Sequence, residues 1–294
     1  MSAPQLVVSG IDKRFGGLRA VGGVSFEVPK GSIFGLIGPN GAGKTTVFNL
    51  VTGVYRADEG SIRLAGVELV GRAPAQIAAE GVARTFQNIR LFASMSVLDN
   101  VLVAGELKRR ANLPQEILRT RHFWDDERAL EAKARKLLDA MGLLHLADAA
   151  ATSLPYGSQR RLEIARALML EPKLLLLDEP AAGLNYGEAE SLKEQIRALR
   201  DTYELTVVLV EHNMQVVMGV CERIHVLDHG VTIAEGTPDE VKRHPKVVAA
   251  YLGEEPGGDD ARGDDGAGED APGDDAPGDD ANGDGGRATG EAKA

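Results

Sequence analysis

Gly38-Pro-Asn-Gly-Ala-Gly-Lys-Thr-Thr46 follows the apolar run Ile33–Ile37 and precedes a short helix predicted over Val47–Thr52. A strand, a glycine-rich loop and a helix form the context in which backbone N–H groups wrap around a phosphate. The positive end of the helix adds to the attraction for the phosphate. The segment therefore predicts a P-loop that binds a nucleoside triphosphate.

The side chains of this loop define the predicted ligand more closely. Lys44 can reach the β- and γ-phosphates, and the hydroxyl of Thr45 can bind Mg²⁺. Glycines let the backbone pass close to a phosphate because they carry no Cβ. The residues predicted to bind the nucleotide here are Gly38, Asn40, Gly41, Gly43, Lys44, Thr45 and Thr46.

The net charge of −11 is confined to the end of the chain. From Glu254 to Ala294 there are 14 Asp and Glu but 3 Lys and Arg, whereas residues 1–253 carry 30 of each sign. This tail repeats Pro-Gly-Asp-Asp-Ala and has almost no bulky apolar residue, so we expect residues 254–294 to be disordered. The neutral body argues against nucleic-acid binding, which usually needs a basic surplus.

Several features predict a location in the cytoplasm. No apolar run reaches the roughly 18–20 residues of a membrane span. The start of the chain lacks the basic and apolar segments of a signal peptide. The single cysteine, Cys221, cannot form an internal disulfide, which fits a reducing compartment.

Two adjacent carboxylates follow a predicted buried strand, Leu174–Leu177. Buried charges at a strand end are costly unless they bind something. In a P-loop protein the first carboxylate, here Asp178, can hold Mg²⁺, and the second, Glu179, can polarise the attacking water. We therefore expect a metal ligand at Asp178 and a catalytic base at Glu179.

Three further side chains are candidates that the spacing alone leaves open. His212 follows the predicted strand Thr206–Val210 and so reaches the ligand-binding edge of the sheet, although a lone histidine is usually structural. Gln87 ends a strand that begins near Gly81, where a glutamine is also ordinary loop chemistry. Phe15 can stack on an adenine ring or belong to the core.

A second anion site is predicted where another helix begins. Ser158 is expected to open this helix, whose apolar face includes Leu162 and Leu168. Gly157 directly precedes Ser158, and the N–H groups of such a helix start can hold an anion.

Together these motifs resemble the ATP-binding subunits of ABC transporters, in order and spacing, from about residue 5 to 254. The similar segments are Gly38–Thr46 (Walker A), Gln87 (Q-loop), Leu154–Ser158 (signature), Leu174–Asp178 (Walker B), Ala182–Asn185 (D-loop) and His212 (switch histidine). The resemblance implies ATP and Mg²⁺ as cofactors. It implies the following roles: catalysis for Glu179, His212 and Gln87, metal binding for Thr45, Gln87 and Asp178, and nucleotide contact for Phe15, Tyr156, Gly157 and Ser158.

The resemblance also implies an α/β fold within residues 1–253. The expected P-loop ATPase domain has a mainly parallel sheet core, an antiparallel β subdomain and a helical subdomain at about 94–165. The acidic tail lies outside the family pattern.

Other segments are similar to the ATP-binding protein of high-affinity branched-chain amino acid importers, among them Arg14–Gly17, Ala83–Gln87 and Gln159–Arg166. This likeness implies an ATPase that works with two transmembrane permease subunits and, indirectly, with a periplasmic or extracellular solute-binding protein. It also implies a homodimer or a heterodimer with a sister ATP-binding subunit. The expected position is peripheral, on the cytoplasmic face of the plasma (inner) membrane. Branched-chain amino acids are the expected solute, with other amino acids, amides and urea left open.

Pro155 departs from the family signature, which has a serine at this position. Proline offers neither a hydroxyl nor an N–H, so Gly157 and Ser158 would have to contribute more of the phosphate contact.

Two other functions remain as alternatives. One is a soluble ABC ATPase that acts on nucleic acid or ribosomes, but such proteins usually carry two ATP-binding units, zinc fingers or long coiled coils. The other is a regulatory protein that binds nucleotide without useful turnover, against which Glu179 and His212 argue.

Overall fold

Two β-sheets form the framework of the protein in a computed structural model that describes residues 3–87, 89–106 and 121–252. The strands are β1 (Pro4–Phe15), β2 (Leu18–Pro29), β3 (Ile33–Ile37), β4 (Glu59–Leu64), β5 (Val67–Glu68), β6 (Val82–Arg84), β7 (Leu174–Asp178), β8 (Thr206–Val210), β9 (Arg223–Asp228) and β10 (Val231–Gly236). The acidic tail lies outside the described residues, and its disorder stays a prediction.

The larger sheet has six strands in the order β10-β9-β3-β8-β7-β6. All neighbours in it are parallel except β10, which pairs antiparallel with β9. Every residue of β3, β7 and β8 is buried, which explains why these strands are almost continuous apolar runs. The smaller sheet is antiparallel, in the order β2-β1-β4-β5. The predicted fold class is confirmed.

Nine α-helices are found in the described residues. They are α1 (Lys44–Val51), α2 (Pro74–Glu80), α3 (Val97–Gly105), α4 (Arg121–Ala140), α5 (Tyr156–Met169), α6 (Tyr186–Tyr203), α7 (Met214–Val220), α8 (Pro238–Arg243) and α9 (Pro245–Leu252). Helices α3, α4 and α5 pack against one another, as expected for the helical part. Among these helices none is long and apolar enough to cross a membrane.

Alternate residues of the central strands pack in two separate hydrophobic cores. Leu175 and Leu177 of β7 belong to a core shared with α3, α4, α5 and α6. Leu174 and Leu176 belong to a second core shared with the antiparallel sheet and α1. Because successive side chains of a strand point to opposite faces, one strand contributes side chains to both cores. This packing on both faces fixes the position of the strand and of the residues at its end.

The predicted start of the helix in the signature region was wrong. The helix of the signature region begins at Tyr156 rather than Ser158, because Pro155, with φ fixed at −54°, is already compatible with a helix start. Gly157 therefore lies in the first turn of α5. Phe15 is the last residue of β1. Helices α8 and α9 are separated at His244, because Pro245 disfavours helical backbone in the residue preceding it.

Candidate active site

The P-loop joins β3 to α1 and has a backbone that only glycine allows at two points. A Cβ added at Gly38, where φ is 152°, would lie 2.1 Å from the carbonyl oxygen of Leu227. A Cβ added at Gly43, where φ is 98°, would lie 2.6 Å from the carbonyl oxygen of Ala20. Helix α1 begins at Lys44, three residues before its predicted start, because Gly43 supplies the left-handed cap.

Lys44 is buried and spans the loop. Its Nζ donates to the carbonyl oxygens of Gly38 at 2.6 Å and Pro39 at 2.8 Å. These bonds hold the ammonium group beneath the loop, where it can exchange a carbonyl for a phosphate oxygen.

A cavity of about 540 Å³ opens above the P-loop. It gathers predicted residues from distant parts of the chain: Phe15, Asn40, Gly41, Gly43, Lys44, Thr45, Thr46, Gln87, Glu179 and His212. Its volume lies within the range of small-molecule and cofactor sites, about 300–1,000 Å³. The carboxyl ends of β3, β7 and β8 therefore meet at one concave site, as the parallel sheet predicts.

Glu179 lies between two side chains at the edge of this cavity. Gln87 Nε2 donates to Glu179 Oε2 at 2.7 Å, and His212 Nε2 lies 2.9 Å from Glu179 Oε1. The Glu179 backbone is left-handed, with φ at 48°, a conformation that non-glycine residues seldom adopt and that often marks functional sites. Its side chain is 16% exposed and that of His212 is 41% exposed, so the pair can be reached from the cavity.

Asp178 is held from below by an arginine that sequence reasoning missed. Arg84 Nη2 donates to Asp178 Oδ2 at 2.6 Å, and Arg84 Nη1 donates to Asn49 Oδ1 at 2.6 Å. The guanidinium also lies over the ring of Phe48, at 5.4 Å from the centroid. The sequence around Arg84 gives no local signal for this role, because its partner lies 94 positions away.

Glu211 is a second missed residue and connects two loops of the site. Its buried carboxylate accepts hydrogen bonds from the backbone N–H groups of Ala181 at 2.6 Å, His212 at 3.0 Å and Asn213 at 3.1 Å. Burial raises the pKa of Glu211, although the three donors oppose the shift. The loops that follow β7 and β8 are thereby tied together around Glu179 and His212.

Phe15 stands at the mouth of the cavity and is 41% exposed. Its ring contacts Tyr55 edge to face, with centroids 5.0 Å apart. This position fits a platform for a base rather than a core residue. Sequence reasoning did not find Leu18, Arg19 and His229, which also line the cavity. His229 lies in the hairpin turn Asp228-His-Gly230, which directly precedes β10 and is recognisable in the sequence.

The signature residues lie apart from this cavity. Tyr156, Gly157 and Ser158 form the first turn of α5, and none of them lines the P-loop cavity in the part of the chain that is described. Gly157 and Ser158 instead line a groove of about 160 Å³ between α5 and α6.

Two family comparisons agree with this geometry. Residues 21–182 match the family described as ABC transporter, which is more than half of the chain. The chain belongs to the ABC transporter family. Residues 231–256 match a second family, which is described as branched-chain amino acid ATP-binding cassette transporter.

Relatives within the ABC transporter family cover the same region. The chain is 47% identical to the high-affinity branched-chain amino acid transport ATP-binding protein LivG of Salmonella typhimurium, over 86% of this chain and 100% of the relative. It is 46% identical to the corresponding protein BraF of Pseudomonas aeruginosa, with the same coverage. A crystal structure of the ADP conformation of MJ1267, an ATP-binding cassette of an ABC transporter, superposes with a TM-score of 0.75 at 33% identity, covering 86% of this chain and 100% of that one.

Proposed function

We propose that this chain is the ATP-hydrolysing subunit of an importer of branched-chain amino acids. The observation that carries the proposal is the position of Glu179, held between Gln87 and His212 at the rim of the P-loop cavity. A carboxylate so placed can accept a proton from water that attacks a γ-phosphate. The names of the LivG and BraF relatives support the choice of solute.

Each residue of the site has a proposed part in the reaction. Lys44 and the P-loop N–H groups bind the phosphates, and Phe15 supports the base. Glu179 acts as general base. His212, whose ring nitrogen faces the same carboxylate, orients Glu179 and contacts the γ-phosphate side of the cavity. Gln87 orients Glu179 from the other side.

Magnesium fits the oxygen atoms that this site offers. Carboxylate, hydroxyl and amide oxygens are hard donors that Mg²⁺ prefers, and substrate phosphates usually complete its coordination. Thr45 and Gln87 line the cavity, whereas Asp178 directly precedes Glu179 at the end of β7 and is paired with Arg84 through Oδ2. Within the described residues no group of three or more His, Cys, Asp or Glu could hold a metal by itself, which fits an ion that arrives with the nucleotide. Bound there, Mg²⁺ would neutralise charge on the phosphates.

The first turn of α5 is proposed to serve a second ATP site. Helix α5 has no side-chain cap, and in its first turn the N–H of Ser158 already donates to the carbonyl oxygen of Pro155 at 2.9 Å. The N–H groups of Tyr156 and Gly157 are therefore the ones that we propose bind an anion. Since Tyr156, Gly157 and Ser158 do not line the cavity of their own chain, we assign them to the nucleotide of a partner ATP-binding subunit, either a second copy or a sister chain. Two permease subunits and an external solute-binding protein would complete the importer, with this chain on the cytoplasmic face of the membrane.

Uptake by the reconstituted importer tests the proposal. The whole complex is placed in proteoliposomes containing Mg-ATP, and uptake of labelled leucine, isoleucine and valine is compared with that of asparagine and urea. We expect ATP-dependent uptake of the three aliphatic amino acids, and its loss in the complex that carries Glu179→Gln. Uptake of urea or amides in place of leucine would contradict the solute, and uptake without ATP would contradict the ATPase role.

A further inference from the structure

The loop that carries Gln87 is held by charged side chains of α5. Arg160 Nη1 donates to the carbonyl oxygen of Phe86 at 2.7 Å, and Arg160 Nη2 donates to the carbonyl oxygen of Gln87. Glu163 Oε1 accepts a hydrogen bond from the N–H of Phe86 at 3.0 Å. One turn further along, Arg166 Nη1 donates to the carbonyl oxygen of Arg90. One helix thus binds the N–H of Phe86 and the carbonyl oxygens of Phe86, Gln87 and Arg90.

Arg160 and Glu163 are among the most deeply buried charges in the described residues. Their side chains are 5% and 2% exposed, and their nearest charged atoms are 3.5 Å apart. Burial also raises the pKa of Glu163. A buried ion pair contributes little stability compared with apolar side chains of the same volume, so stability alone does not explain this pair. Its hydrogen bonds go instead to the backbone beside Gln87, whose position they define.

The same guanidinium also contacts the signature region. Arg160 Nη2 donates to the hydroxyl of Tyr156 at 2.9 Å, and the guanidinium lies 5.4 Å from the centroid of the Tyr156 ring. At the other end, Gln87 donates to Glu179 at 2.7 Å. Tyr156, Arg160, Gln87 and Glu179 are therefore linked by consecutive hydrogen bonds within one chain.

We propose that Arg160 and Glu163 are positioning residues that hold Gln87 in hydrogen-bonding distance of Glu179. The position of Gln87 then depends on the position of the first turn of α5. When Tyr156 engages a partner's nucleotide, the shift of this turn is transmitted through Arg160 to the Gln87 backbone. Each subunit thereby adjusts its own hydrolytic site to the occupancy of the site across the interface. This inference rests on the proposed roles of Gln87, Glu179 and Tyr156.

A double-mutant cycle in the purified complex tests whether Arg160 acts through Gln87. The variants are Arg160→Met, Gln87→Ala and both together, with kcat and KM for ATP measured for each. We expect Arg160→Met to lower kcat on the order of tenfold, as misplacement of a catalytic group does, with little change in KM. In the Gln87→Ala background the same substitution should have no further effect. An equal loss in both backgrounds would overturn the proposal.

Three further variants separate positioning from folding and from the proposed function itself. Lys133→Met is the matched control, because Lys133 also donates to a carbonyl of α5, that of Met169 at 2.9 Å, but far from Gln87; it should leave kcat unchanged. Arg160→Lys, which can keep one of the two carbonyl bonds, should recover part of kcat and carries the test if Arg160→Met does not fold. Glu179→Gln is the reference variant. If Glu179→Gln retains turnover, the proposed function fails. If Glu179→Gln loses turnover while Arg160→Met remains fully active, only the positioning role of Arg160 is overturned.

Discussion

Arg84 donates to Asp178 at 2.6 Å across 94 positions of the chain, and less than a tenth of either side chain is exposed. Removing one member of a buried pair leaves the other as an uncompensated charge, which typically destabilises a protein by about 3–5 kcal/mol. We expect a loss of this size for Arg84→Met, measured by urea unfolding without nucleotide.

The double variant Arg84→Met/Asp178→Asn should recover part of that loss, because the charge left behind is removed. Arg135→Met is the matched control: its pair with Glu131 is exposed, and such helix pairs contribute only about 0.3–0.5 kcal/mol. Equal losses in the free energy of unfolding for Arg84→Met and Arg135→Met would show that the buried pair with Asp178 stabilises the protein no more than an exposed pair does.

Replacing Glu179 by glutamine tests its role as general base. The amide keeps the size and a hydrogen-bonding oxygen but cannot accept the proton, so turnover should fall by about 10²-fold or more. ATP affinity, measured by equilibrium binding, should remain close to that of the parent protein. Glu190→Gln on α6, whose pair with Lys193 lies outside the cavity, is the control. Parent-like turnover in the glutamine variant would remove Glu179 from this role.

His225 should make stability depend on pH. It is fully buried between Glu235, 3.0 Å from its Nδ1, and Thr232, 2.9 Å from its Nε2. Burial lowers its pKa below 6.5, so the unfolded chain binds more protons in this range than the native one. Its contribution to stability is therefore complete above pH 6.5 and is lost as the pH falls through the folded pKa.

Urea unfolding between pH 5 and 8 measures this effect. The decline in stability on acidification should be shallower in His225→Gln than in the parent, whereas His145→Gln, which alters an exposed histidine, should follow the parent. A profile of His225→Gln parallel to that of the parent would mean that another group sets the acid limit.

The sequence predicted those parts of the site that depend on one segment each. The P-loop, the strand before Asp178 and the position of His212 follow from apolar runs and from the edge at which parallel strands end. What it did not predict are contacts of charged side chains with residues far away in the chain, such as the hydrogen bond from Arg160 to the carbonyl oxygen of Phe86. An arginine and a glutamate three positions apart on a helix are typical of an exposed face, and only the packing of α5 under the Gln87 loop buries them. The start of α5 at Tyr156 follows from the backbone angle that Pro155 fixes, φ −54°, and not from the hydroxyl and N–H that it lacks.

Truncation after Gly253 tests the predicted disorder of the tail. Since residues 254–294 lack side chains that could form a core, the melting temperature should change by no more than about 1 °C. A deeper truncation after His244 is the matched control. It removes α9 and with it Val247, which is only 6% exposed, so it should lower the melting temperature by several degrees. A similar drop on removing the tail alone would show that the tail packs on the domain.

Gly157 provides the test of the second ATP site. It lies in the first turn of α5 with an ordinary negative φ, and the nearest atom to an added Cβ is Glu188 Oε1 at 3.7 Å, so small side chains fit without strain. A carboxylate at this point would face phosphate charge of a partner's ATP at close range, and would repel it. We therefore expect Glu179→Gln to accumulate an ATP-dependent dimer, because hydrolysis no longer ends the closed state, and Gly157→Asp in that background to abolish it. Gly157→Asn has nearly the same shape without the charge and should retain a substantial fraction of the dimer.

The measurement is size-exclusion chromatography with light scattering, with and without Mg-ATP, for the chain alone and with a candidate sister subunit. A dimer that forms equally well in the Asp and Asn variants would show that no phosphate approaches Gly157, and the assignment of α5 to the partner's nucleotide would be wrong.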